Sequence, residues 1–445
     1  MRYLLTRVVA LVLALGGLSC NAQPAGPAVD RTSDAKAFVN EVTNRDFARA
    51  INRFDATMRG ALPEEKLRAV WDGLIAQAGA FKKQGATRTD RIGGYDVVFV
   101  ACEFERAKLD AKVVFDPDGK IGGLFFVPSA QPSDDAPASY VSRDAFEESD
   151  FTFGSEPWVL PGTLSVPKGD GPFPAVVLVH GSGPQDRDET IGANKPFRDL
   201  ASGLASRNIA VLRYEKRTLR YASKLNPLPL PFTVNEETVD DAVAAVESLR
   251  TTPRIDPKRI FVLGHSLGGM LVPRIAARSS NAAGFIILAG TTRPLDDVIL
   301  EQTNYLALLD GQKSTDDQKQ IEAVQTEINR IKKLTEADAS DPALVFGAPA
   351  SYWLDLRNYD PVDTAKNLER PLLILQGERD YQVTMTDFAR WRAALDERPN
   401  VTLKTYPGLN HLFEDGKGPS APAEYTIPGH VAQQIVEDVA AWVKR

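Results

Sequence analysis

R-I-F-V-L-G-H-S-L-G-G, Arg259 to Gly269, decides how the rest of the chain is read. Its four apolar residues, Ile260 to Leu263, predict a short buried strand of a parallel sheet. Gly264 to Gly268 then form a tight turn, and Met270 to Ala277 is apolar and compatible with a helix. A serine therefore stands at the apex of a strand–turn–helix unit. The glycines have a chemical reason. A serine hydroxyl is a poor nucleophile at neutral pH, so it must project beside a base with donors ready for an oxyanion. A turn that sharp brings strand and helix close together, which leaves little room for side chains at Gly264 and Gly268.

Working outward, the 445 residues exceed what one core usually organises, so two domains are expected. A net charge of −7 without a basic stripe argues against nucleic acid as a partner. Two cysteines, Cys20 and Cys102, cannot build a disulfide framework. Cys102 reads as a small buried hydrophobe.

Residues 1–20 read as a leader for export. Arg2 and Arg7 supply positive charge, and Val8 to Leu15 is apolar but too short to span a bilayer as a mature helix. Gly17-Leu18-Ser19-Cys20 resembles a bacterial lipobox, which implies lipidation at Cys20 and a membrane tether. Gly17 stands where that pattern usually has leucine, and ordinary cleavage after Ala22 is the alternative. Localisation is expected in the periplasm or, through the lipid, on a membrane of the bacterial envelope.

A Pro/Ala/Gly-rich tether, 21–32, precedes a small α+β region, 33–127. Ala37, Phe38, Val42, Phe47, Ile51 and Phe54 fill one face of helical segments. A further helix follows Pro63, which suits its first turn, with Leu67, Val70, Trp71, Leu74 and Ile75 on one stripe. Three β-rich runs come next: Tyr95–Phe104, Ala107–Phe115 and Ile121–Val127. Asp116-Pro117-Asp118-Gly119 marks a turn between the last two. Met58 to Leu67 and the closing G-G-L-F-F-V-P resemble the small cystatin/NTF2-like domain found ahead of hydrolase domains in exported bacterial proteins. The region reads as a docking or substrate-gathering module, without a cluster of His, Cys and acid for chemistry.

After a linker, 128–143, strands and helices alternate through 144–445. Phe146–Phe153 and Trp158–Val166 are expected as an antiparallel pair. Ala175–Val179, Ile209–Tyr214, the serine strand, Phe285–Ala289, Pro371–Leu375 and Val401–Tyr406 follow as strands of a mostly parallel sheet covered on both faces. An insertion at about 291–370, rich in helix formers, leaves from the carboxyl end of a strand, where such sheets bind ligands. Ile321, Val324, Ile328, Ile331 and Leu334 give it a one-sided stripe. It reads as a helical cap, with a surface helical pair as the alternative.

A serine nucleophile needs a base and a group to orient that base. Of four histidines, His180 and His265 sit inside the glycine turns and read as structural, and His430 opens the last helix. His411, in a loop after the final strand, is the expected base. Asp380, after the strand Pro371–Leu375, is the expected orienting acid, with Glu378 as runner-up; Asp355, Asp360 and Asp363 read as surface charges. Backbone N–H groups of Leu267 and of Ser182, in His180-Gly181-Ser182-Gly183, are the expected oxyanion donors.

Ser266, Asp380 and His411, in that order and with an H-G loop upstream, resemble the α/β-hydrolase superfamily. The phrase H-G-S-G-P-Q-D-R-D-E, His180 to Glu189, is similar to exported bacterial hydrolases of the serine aminopeptidase/esterase-like group. The likeness implies an α/β-hydrolase fold with a helical cap. It also implies a serine hydrolase that cleaves carboxylic esters of a small-molecule substrate through an acyl-enzyme, with no metal or organic cofactor. A peptidase or amidase on the same triad, or a non-catalytic binding protein, are the rivals. The charged residues of that phrase and of Arg213 to Arg217 read as structural ion pairs, with a grip on a polar substrate as the alternative.

Overall fold

In the computed structural model, which describes residues 30–445 apart from 93–94, 130–135, 223, 226–228, 230 and 342, the chain divides into two compact units. The expected leader, Cys20 and most of the expected tether lie outside the described residues, as does part of the expected linker. No helix among the described residues is long and apolar enough to cross a membrane.

The first unit takes the described residues up to 129, with short pieces of 222–227 and 425–428. Helices Thr32–Thr43, Phe47–Ile51, Ala56–Ala61 and Glu64–Ala78 precede an antiparallel sheet of β1 (Phe81–Ile92), β2 (Tyr95–Phe104), β3 (Lys108–Phe115) and β4 (Ile121–Pro128), in that order across the sheet. Phe38, Phe47, Phe54 and Trp71 bury against Val98, Val100, Phe104 and Phe115. Cys102 is buried among them, and burial pushes its thiol up to about 12, so it is inert at neutral pH.

Two expectations are corrected here. The sheet has a fourth strand, β1, at its edge, and its run Phe-Lys-Lys-Gln-Gly is too polar to show an apolar period. Charge on an edge strand blocks pairing with other chains. Pro63 does not enter the helix; with ψ 168° it caps it from outside, and Glu64 is the first helical residue.

In the second unit eight strands form one sheet: β5 (Phe146–Phe153), β6 (Leu160–Pro167), β7 (Phe173–Val179), β8 (Ala210–Tyr214), β9 (Ile255–His265), β10 (Gly284–Leu288), β11 (Leu372–Gly377) and β12 (Val401–Tyr406). Their order is β12-β11-β10-β9-β7-β8-β6-β5. β5 pairs antiparallel with β6, and β6 with β8; the remaining pairs are parallel. Both faces are covered, which is why β7, β9 and β10 carry unbroken apolar runs. Phe197, Leu200, Leu204, Ile435 and Val439 pack one face against Val176, Leu178 and Ile286. Helices Asp240–Leu249 and Leu267–Arg278 also pack on the sheet. From β7 the chain turns one way to β8, then returns past β7 to lay down β9 and the strands beyond it. That reversal puts the topological switch point at the carboxyl ends of β7 and β9, where sheets of this kind hold ligands.

Candidate active site

Ser266 sits between β9 and helix Leu267–Arg278 with φ 55° and ψ −118°, a conformation rarely held by a residue with a side chain. Its N–H donates to Leu288 O at 2.9 Å, which ties the turn to β10. The flanking glycines are sterically required. A Cβ on Gly264 would lie 2.3 Å from Gly268 O, and one on Gly268 would lie 2.3 Å from Val179 O. Leu267 is the first residue of the helix, so its N–H has no intrahelical acceptor and points out with the positive end of the helix dipole.

Asp380 and His411 meet on loops at the ends of β11 and β12. His411 Nδ1–H donates to Asp380 Oδ2 at 2.7 Å, and the two side chains are almost fully buried. Main-chain N–H groups of Gln382 and Val383 donate to Asp380 Oδ1 at 2.8 and 3.0 Å, so the acid is held in place and aimed at the ring. Asn410 Oδ1 accepts from Leu412 N and Glu414 N, folding the loop around His411. With Nδ1 occupied, Nε2 is the ring nitrogen left to take a proton.

His265, the residue before the serine, is tied to the same loop. Its Nε2–H donates to the carbonyl of His411 at 2.9 Å, and the two rings lie 4.7 Å apart. Nδ1–H of His265 donates to Glu189 Oε2 at 2.9 Å. Both partners are acceptors, so the imidazole carries both protons. Burial opposes that charge, but the Glu189 carboxylate outweighs it and raises the histidine above its ordinary value. Glu189 Oε1 in turn accepts the N–H of Gly181 at 2.7 Å. A single buried carboxylate thus fastens the H-G loop to the residue before Ser266. Among the described residues Ser266 Oγ makes no hydrogen bond to His411; such contacts commonly close only when substrate is bound.

The H-G loop follows β7. Gly181 lies against Ser266: a Cβ there would stand 3.1 Å from Ser266 Cβ and 3.6 Å from Oγ. Its own N–H is taken by Glu189, which leaves the next one, Ser182 N–H, as the donor this loop can offer. His180 donates from Nε2 to Asp186 O at 3.0 Å, and burial pushes it down to about 4, so it is neutral and structural. His430 donates from Nδ1 to Asp199 at 3.1 Å, and Glu378 accepts from Thr405 Oγ1 at 2.7 Å; neither joins the cluster. Asp355 pairs with Arg274, Asp360 caps helix Pro361–Lys366, and Asp363 pairs with Lys366.

The charged phrases are paired internally: Arg213 with Asp188 and Glu148, Arg187 with Glu215, Arg217 with Asp241, and Lys216 with Glu237. Of the inserted helices Leu295–Leu308, Thr315–Lys333, Ala350–Arg357 and Pro361–Lys366, the second packs on the first and the last packs on the helix after Ser266. Tyr305 stacks on Tyr381, beside Asp380, with ring centroids 5.0 Å apart and planes at 7°. Tyr359 Oη donates to Met270 O at 2.9 Å on the helix after the serine. The pairing of Glu189 with His265 is what sequence reasoning missed. Glu189 was visible within its phrase, but nothing there pointed to a histidine 76 residues away.

The sequence profile described as Alpha/beta hydrolase family matches residues 176–425, and that of a protein of unknown function, DUF3887, matches residues 35–124. The chain is 40% identical over 410 residues to Esterase EstD of Thermotoga maritima, spanning 92% of this chain and 94% of the relative. Among solved structures, Est1E from Butyrivibrio proteoclasticus is 16% identical with a TM-score of 0.42, covering 66% of this chain and 98% of its own. An esterase of Pyrococcus furiosus is 17% identical with a TM-score of 0.42, covering 71% and 96%.

Proposed function

The chain belongs to the alpha/beta hydrolase family, and we propose that it is a serine hydrolase that cleaves carboxylic esters of small molecules. One observation carries the roles of the residues: the 2.7 Å bond between His411 and Asp380 lies at the same sheet edge as the strained turn of Ser266. His411 Nε2 takes the proton of Ser266 as Oγ attacks the ester carbonyl carbon. Asp380 holds the tautomer and stabilises the imidazolium. The N–H groups of Leu267 and Ser182 receive the oxyanion. Collapse expels the alcohol, which takes the proton from His411, and leaves an acyl group on Ser266. Water then attacks that acyl group with His411 again as base, and the acid departs. The inserted helices act as a cap over this edge, a role supported by their contacts at Tyr381 and Met270.

The test is a substrate profile of the purified chain across p-nitrophenyl esters of increasing acyl length, thioesters and aminoacyl anilides. Short esters are expected to turn over fastest. Preference for the anilides would replace the ester reading with a peptidase or amidase on the same residues.

The reading extends to export. Arg2, Arg7, the apolar run Val8 to Leu15 and Gly17 to Cys20 support a leader with lipidation at Cys20 and a place in the bacterial envelope. Mass spectrometry of the mature N-terminus is expected to find lipid-modified Cys20. A terminus at Gln23 would replace the anchor with ordinary cleavage.

A further inference from the structure

Lys216 takes no part in the reaction as set out above, yet its side chain is only 2% exposed. A buried ammonium is costly unless it is paired with a charge and hydrogen-bonded. One partner is Glu237, whose Oε1 lies 2.9 Å from Nζ. The other is the carbonyl oxygen of Gly181, at 2.8 Å. Tyr352 Oη, on the inserted helix Ala350–Arg357, donates to Glu237 Oε2 at 2.8 Å. Burial and the neighbouring carboxylate push that phenol well above its ordinary value, so it stays protonated and donates.

The carbonyl that Lys216 grips belongs to the same peptide unit as the N–H of Ser182. That unit is trans, so its C=O and N–H point in opposite directions. An ammonium fixed on the oxygen therefore aims the N–H the other way and, by polarising the amide, strengthens it as a donor. The preceding N–H, that of Gly181, is pinned to Glu189 at 2.7 Å. Both ends of Gly181 are thus held by buried charges of opposite sign, directly beside Ser266.

We propose that Lys216 is a positioning residue for the oxyanion site, acting through the Gly181–Ser182 peptide and held in place by Glu237 and Tyr352. This rests on the reading of Ser266 as nucleophile and Ser182 N–H as oxyanion donor. The reacting atoms never touch the lysine. Its contribution is expressed only when negative charge develops on the carbonyl oxygen, so it should act on turnover and not on substrate binding.

The test uses the full chain with Lys216→Met, the double variant Lys216→Met/Glu237→Gln, which leaves no lone buried carboxylate, and Lys216→Arg. Three quantities are read: kcat and KM on a p-nitrophenyl ester, the inhibition constant of an aryl trifluoromethyl ketone, and the fraction of sites labelled by a fluorophosphonate. The ketone's adduct with a serine carries the same oxyanion. In the double variant kcat is expected to fall about 10²-fold with KM nearly unchanged, and the ketone to bind weaker by a similar factor. Lys216→Arg should recover part of both. A merely structural lysine would lower the labelled fraction without moving the ketone's affinity per labelled site. That result, or an unchanged kcat in either methionine variant, overturns the proposal. Should both methionine variants fail to fold, Tyr352→Phe decides, with a shift of the same sign expected and an unchanged ketone affinity contradicting it. Ser266→Ala run alongside separates the failures. An active Ser266→Ala variant would sink the reaction itself, whereas an inactive one beside a fully active lysine variant removes only Lys216.

Discussion

Glu189 and His265 form a buried ion pair, 2.9 Å between Oε2 and Nδ1, that joins the loop after β7 to the residue before Ser266. Removing one member of such a pair leaves the other charge uncompensated. Glu189→Gln is therefore expected to destabilise the second unit by about 3–5 kcal/mol. The pH signs follow from the shifts. His265 is raised, so its contribution is full below its ordinary value and is lost as pH rises through its folded value. Glu189 is lowered, despite burial, by the His265 charge, so its contribution is present above the ordinary carboxylate range and is lost as pH falls through its folded value. Denaturant unfolding of the variant at neutral pH is the measurement; a loss below about 1 kcal/mol would contradict the pairing.

Asp380→Asn keeps the shape of the acid and removes its charge. An amide in its place could still accept from Gln382 N and Val383 N, so the loop should keep its form. It cannot stabilise an imidazolium, and it can present an N–H that selects the wrong tautomer of His411. Turnover on a short ester should fall on the order of 10³- to 10⁴-fold with the melting temperature little changed. A kcat within about tenfold of wild type would remove Asp380 from the role of orienting acid.

Glu414 gives a pH dependence of the opposite kind from a paired acid. Burial, then the charges of Asp199 and Glu424, push its carboxyl up to about 8. Those two neighbours are engaged elsewhere, Asp199 with His430 and Glu424 with Arg379. The folded chain thus keeps a proton that the unfolded chain releases near the ordinary carboxylate value. Stability from this group is full below that value and drains as pH rises through about 8. Glu414→Gln removes the drain. Between about pH 6 and about pH 8 the wild type should lose about 2 kcal/mol more than the variant, read from denaturant midpoints. Parallel pH curves for the two proteins would contradict this.

Much of the second unit was legible because its strands are covered on both faces. Runs such as Ala175–Val179 and Ile260–Leu263 then read as continuous apolar stretches, and all eight strands were expected near where they lie. The serine turn was legible for a different reason: Gly264 and Gly268 leave no space for a Cβ, and that constraint is written directly in residue type. Strand β1 was not, because an exposed edge selects lysine, arginine and threonine over an apolar period. The partners of Glu189 and Lys216 were hidden too. An ion pair formed across 76 residues, or a hydrogen bond to a main-chain carbonyl 35 residues away, leaves no spacing pattern. What a sequence shows of a site is which groups can do chemistry; what holds them there is decided by the fold.

The central claim is that the hydroxyl at the apex of the β9 turn is the nucleophile, and hydrolysis of a short p-nitrophenyl ester by Ser266→Ala tests it most directly. With the variant folded, the rate is expected to drop by at least about 10³-fold, towards the uncatalysed background. A folded variant that hydrolyses the ester at the wild-type rate would contradict it.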